Sequence, residues 1–223
     1  DDIGKPRDKT RMGMTPPTVN ASYNPVNNDI TFPAGILRPP FYNYEADDAI
    51  NYGAIGGVIG HEVTHGFDDS GSRFDADGNL KMWWTDTDRK NFDERTACVI
   101  NQFNKYEVQP GVFVDGKLTL GENMGDFAGL TVAYDAFMKS LEGKPRPANI
   151  DGFTPEQRFF LGWAQVWAAK STPEAERLQV ALGEAKVGLA RLIAGLRRRR
   201  KQSKLVAETL RSLRQLKLAE AAE

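Results

Sequence analysis

Between residues 47 and 65 the apolar positions Ala49, Tyr52, Ile55 and Ile59 recur at the spacing of one helix face, so the pattern predicts a helix from about Asp47 to His65. Asp47 or Asp48 stands where a carboxylate can cap its first turn. Glycines at 53, 56, 57 and 60 interrupt it. Each costs a helix roughly 1 kcal/mol relative to alanine, so this helix survives only when it is tightly packed. Three more helices are predicted. One spans "TDTDRKNFDERTACVINQFNKY", with Thr85 or Asp86 as its cap and Cys98 as a small buried residue. Another runs from about Gly121 to Leu141, and the third is "TPEQRFFLGWAQVWAAK", with proline at its start. Residues 1–27, polar and rich in Pro and Asn, read as loop. "DITFPAGI" (29–36) reads as a short strand, and Pro33 restricts it to an edge. Asp115-Gly116 is a hairpin-turn signal, and 68–80 is a loop dense in turn residues. Within it "DADGN" (75–79) resembles the start of a calcium loop. Leu80 replaces the usual glycine and Asp86 the usual glutamate, so it reads as a turn.

Past Val180 the pattern changes. Residues 181–223 contain no Phe, Trp, Tyr, Pro, Asp or His. Leu182, Leu189 and Leu196 lie seven apart, and Val206, Leu210 and Leu213 continue an apolar stripe, which predicts one or two amphipathic helices. This tail carries 11 Lys and Arg against 4 Asp and Glu, whereas the rest of the chain carries 18 against 26. The run "RRRRK" (197–201) reads as a solvated helix face. With no aromatic residue beside it for stacking on bases, no nucleic-acid partner is expected.

The chain has the length of one domain with an appendage, and its 40% apolar content supports a real core. No apolar run reaches 18 residues, so no transmembrane helix is expected. The first residues lack the apolar stretch of a signal peptide. The single cysteine excludes an intrachain disulfide.

Both histidines of the chain, His61 and His65, fall in "GGVIGHEVTHGFDD". Residues four apart share a helix face, so two imidazoles can address one metal ion while Glu62 reaches a water beside it. This is the H-E-x-x-H arrangement of zinc peptidases. A catalytic zinc takes three protein ligands, and with no third histidine the remaining ligand is expected to be a carboxylate. Glu122 and Asp126 in "GENMGD" are again four apart: one can bind metal while the other holds the Nδ1–H of a ligating histidine. The glycines of "GAIGGVIG" lack the Lys-Ser/Thr of a phosphate loop.

Residues 11–180 resemble the catalytic domain of the neprilysin-type zinc metallopeptidases, which include endothelin-converting enzymes and the bacterial oligopeptidase PepO. The resemblance rests on "VNASYNPVNNDITFPAGILRPPF", "NYGAIGGVIGHEVTHGFDDSGSRFDADGNL" and "GENMGDFAGL", in that order. It implies a mostly helical α+β fold, a thermolysin-like zincin domain with a small antiparallel sheet, over 1–180. It implies one Zn2+ per chain held by His61, His65 and Glu122, with Glu62 as general base and Asp126 orienting a zinc histidine. Asn20 and Ala21 would bind the backbone of a peptide substrate beside an edge strand, and Val58 would help line the pocket after the scissile bond. Ser22 departs from the aromatic residue of the family's Asn-Ala-aromatic-Tyr motif. The family's later histidine and arginine, which stabilise the intermediate and bind substrate, have no counterpart after Val180, nor is the family's large N-terminal helical domain present.

The sequence therefore reads as a zinc-dependent endopeptidase or oligopeptidase, its activity reduced by the altered C-terminus. Two alternatives stand beside it: a zinc-binding remnant or engineered scaffold without useful catalysis, and an interaction protein acting through the basic tail. The tail is expected to pack on the body or to self-associate. The resemblance favours a periplasmic or extracellular setting.

Overall fold

The computed structural model describes residues 4, 5 and 8–182, so the tail helices predicted beyond Leu182 and the basic run at 197–201 lie outside the described residues. The fold is mostly helical with two small antiparallel ladders. β1 (Ser22–Asn24) pairs with β2 (Asp29–Thr31), Ser22 opposite Thr31. α1 (Asp48–Asn51) runs without a break through a π turn (Tyr52–Gly56) into α2 (Gly57–Thr64). α3 (Asp86–Phe103) follows, then the hairpin β3 (Glu107–Gln109) and β4 (Val112–Phe113). α4 (Leu120–Ser140), α5 (Pro155–Val166) and α6 (Pro173–Ala181) complete the order. Among the described residues, no helix is long and apolar enough to cross a membrane.

The core forms where α5 and α4 close on the α1–α2 run. Phe159 and Trp163 of α5 are fully buried against Ala49, Ile55 and Val58, and α4 adds Leu130, Ala133 and Phe137. The glycines that weaken the first helix make this packing possible. A β-carbon on Gly57 would lie 2.9 Å from the Trp163 ring, and one on Gly60 would lie 2.6 Å from the Gly129 carbonyl oxygen. The backbones of α2 and α4 therefore touch, a contact only residues without side chains permit.

Two helices begin with reciprocal caps. Thr85 pairs with Asp88 at the start of α3, and Thr154 with Gln157 at the start of α5. Asp47 precedes α1 but makes no side-chain cap bond. Its carboxylate instead accepts from Nε of the buried Arg158, whose Nη1 also donates to the carbonyls of Ala148 (3.1 Å) and Phe153 (2.8 Å). The start of α1 is thus tied to α5 across 111 residues of chain.

Several expectations need correction. Ser22–Asn24, inside the stretch read as loop, is a strand, while the strand read at 29–36 ends at Thr31 and Ala34–Ile36 is a 3₁₀ turn. Asp115-Gly116 is not the hairpin turn. The hairpin closes at Pro110-Gly111, where Gly111 takes φ +76°. Asp115 instead accepts from the N–H groups of Lys117 and Leu118 in the approach to α4, and Gly116 is there because a β-carbon would strike the Ile100 carbonyl. Cys98 is exposed, because α3 buries little beyond Thr96, and its thiol donates to the Arg95 carbonyl. Ile59, read as part of the apolar stripe, is 44% exposed, because the π turn shifts the helix face before it is reached. At 75–79, Asp75 accepts from the backbone of Asp77 and Asn79, a closed turn.

Arg158→Met should lower stability by about 3 kcal/mol, because it leaves the partly buried Asp47 carboxylate without its cation. Urea unfolding measures this, and a change below about 1 kcal/mol would place the pair with ordinary surface ion pairs.

Candidate metal centre

The last turn of α2 places His61 and the following His65 on one face, with ring centroids 4.6 Å apart and rings nearly perpendicular. Their Nε2 atoms stand 3.0 Å apart. Glu122, in the first turn of α4, brings Oε2 to 3.5 Å from His61 Nε2 and Oε1 to 3.9 Å from His65 Nε2. One ligand atom from each of the three lies within 4.8 Å of the others, a group able to hold a metal ion. Glycine again decides the geometry. A β-carbon on Gly125 would lie 2.8 Å from the His61 ring. The imidazole therefore sits over α4 between Glu122 and Asp126.

On the far side of each ring stands a carboxylate. His61 Nδ1 lies 2.9 Å from Asp126 Oδ1, and His65 Nδ1 lies 2.8 Å from Asp68 Oδ2. Asp68 is buried, and its other oxygen accepts from the N–H groups of Ser70 (2.8 Å) and Gly71 (2.7 Å). A carboxylate so placed accepts the Nδ1–H of the ring it faces and turns that ring's Nε2 inward. The two Nε2 atoms then converge at 3.0 Å, with a carboxylate beside them. A shared cation suits that convergence, and the donor set of two imidazoles and one carboxylate suits a divalent transition metal.

Glu62 is buried and lines the same small pocket as His61, Asn20 and Val58, with Ile36, Phe41 and Trp163 among its apolar walls. Ala21, next to Asn20, points into the core instead. β1 begins immediately after it and, among the described residues, pairs on one edge alone. Asp68 escaped the sequence reading, which assigned it to a turn-rich loop. The available signal was a carboxylate three residues after the second histidine, followed by Gly71, where a β-carbon would strike the His65 carbonyl.

Comparison with known proteins shows the family of the chain. Residues 20–188 match the model of peptidase family M13, and the chain belongs to that family. It is 48% identical over 180 residues to an endothelin-converting enzyme homolog of Locusta migratoria, covering 80% of this chain and 25% of that protein. It is 44% identical over 198 residues to neprilysin-11 of Caenorhabditis elegans, covering 87% of this chain and 23% of that protein. The chain thus spans about a quarter of the length of these relatives. Among solved structures it resembles the zinc metalloprotease ZMP1 of Mycobacterium tuberculosis in complex with inhibitor. The TM-score is 0.78 at 46% identity, over 86% of this chain and 30% of that one.

Gly125→Ala should cost about 1–3 kcal/mol through overpacking against His61 and should weaken divalent-metal binding by displacing the ring. Thermal unfolding and metal titration calorimetry together test this. Unchanged metal affinity in a destabilised variant would show that the ring position does not depend on this contact.

Proposed function

We propose that this chain forms the catalytic centre of a zinc-dependent endopeptidase or oligopeptidase, with one zinc held by His61, His65 and Glu122. The observation that carries the reading is the pair of Nε2 atoms converging beside Glu122, each imidazole held from behind by a carboxylate. Two nitrogens bound to one tetrahedral zinc stand about 3.3 Å apart, so the pair at 3.0 Å needs to open only slightly. Zinc, when bound, supplies Lewis-acid polarisation of a carbonyl and acidifies water.

The residues of the chain do the rest. Glu62, adjacent to His61 and inside the pocket, takes a proton from the attacking water onto its carboxylate and later delivers it to the leaving amine. Asp126 and Asp68 keep the Nδ1 protons in place, which fixes ring orientation and raises the basicity of Nε2. Asn20 and Ala21, at the head of β1, hold the backbone of an extended peptide along the strand edge. Val58 receives the side chain that follows the scissile bond. Membership of the M13 family and the likeness to a bacterial zinc metalloprotease support the same reading, as well as a peptide substrate met outside the cytoplasm.

One observation favours a second reading, a zinc centre without turnover. The first reading assigns both histidines of these 223 residues to the metal, so no other histidine within them could donate to a tetrahedral intermediate. Losing one such donor costs about a hundredfold to a thousandfold in rate.

Zinc-loaded protein should cleave a quenched fluorescent peptide library. Glu62→Gln should lower the rate by about a hundredfold to ten-thousandfold while still binding one zinc, and chelation should abolish cleavage. Zinc binding without cleavage above the Glu62→Gln background would establish the second reading.

A further inference from the structure

The β1–β2 ladder carries the strand edge beside the metal centre, yet it is only two short strands, and two strands alone are marginally stable in water. Something must hold it at its height over α2. The contacts converge on Tyr23. Its ring lies on the backbone of Gly66, where a β-carbon would be 3.3 Å from the phenol oxygen and 3.4 Å from Cζ. Gly66 directly follows His65 and lies two residues before Asp68. The Tyr23 hydroxyl donates to Asn28 Oδ1 (3.0 Å) at the turn of the hairpin, and Asn28 Nδ2 donates onward to the Ala76 carbonyl (3.2 Å). Asn28 takes the left-handed φ of +54°, which asparagine tolerates better than most residues. Beside it the Val26 carbonyl presses on Gly78, where no side chain would fit. Burial and the nearby Asp68 and Asp29 raise the phenol above its ordinary range, so it remains a donor at neutral pH.

We propose that Tyr23 and Asn28 are positioning residues, a strut that braces the substrate strand against the turn at 75–79 and the loop joining His65 to Asp68, and so sets the register of an extended peptide over the metal centre. This rests on the peptidase reading for its effect on substrate but not for its effect on the strand. The strut also gives the Asp75–Asn79 turn a role. It is a buttress, its shape held by the Asp75 carboxylate, and it offers the Ala76 carbonyl to the hairpin.

The test uses Tyr23→Phe, which keeps the ring and removes the donor, and Asn28→Gly, which keeps the backbone conformation and removes both side-chain bonds. Amide hydrogen exchange on the whole chain reads the strand. Each variant should speed exchange across residues 20–31 at least fivefold, and the double variant should add little to either single one, because both break one chain of bonds. Peptide cleavage reads the register. KM should rise about fivefold to tenfold with kcat within twofold and zinc affinity unchanged, because the Asp68–His65 pair is untouched. Unchanged exchange at 20–31, or fully additive effects, would overturn the strut. So would faster exchange in a cleaving enzyme with unaltered KM. If the unaltered chain cleaves nothing, the peptidase reading fails, and the exchange measurements still decide whether the strut exists.

Discussion

The contact on which the site depends is that between the backbones of α2 and α4, where Gly60 and Gly129 meet without side chains between them. Ordinary helix pairs keep their axes 8–10 Å apart because side chains interdigitate. A gap of that kind would carry Glu122 and Asp126 away from His61. The ligand group thus assembles because two helices come close enough for one to supply imidazoles and the other carboxylates. Gly125 extends the same logic by one turn, making room for the ring itself.

From that contact the electrostatics follow. Each histidine is sandwiched between an acceptor at Nδ1 and the shared space at Nε2. Asp68 is in turn held by two backbone N–H groups. The orientation of the rings is therefore set by contacts within the chain itself, to Asp126 and to Asp68.

Much of this was legible along the chain. The cap at Thr85, the proline at the start of α5, and the i, i+4 pairs at 61/65 and 122/126 are local properties, and local chemistry enforces them. What was not legible depended on partners far away in sequence. Asp47 looked like a cap but is claimed by Arg158, whose buried guanidinium needs a counter-charge more than the helix end needs an acceptor. Asp115-Gly116 carried a turn signature, but it lies in the approach to α4, and its glycine lets the chain pass against the Ile100 carbonyl of α3. Asp68 looked like one turn residue among many, because nothing in its neighbourhood shows which way His65 faces. Ser22–Asn24 is too short, and too polar around its tyrosine, to announce itself as a strand without its partner.

The π turn at Tyr52–Gly56 has its own consequence. It shifts the face of the helix, so that Val58, His61 and Glu62 are inside while Ile59 and Val63 are outside. If the same residues were wound as a regular helix, everything beyond the turn would swing by about 100°, the rotation of one residue. Both imidazoles would leave Glu122, although every ligand was still present. The candidate metal centre is in that sense recorded in the winding of one turn: its phase is kept by the width of a turn ahead of the motif, which a comparison of ligands alone would never reveal.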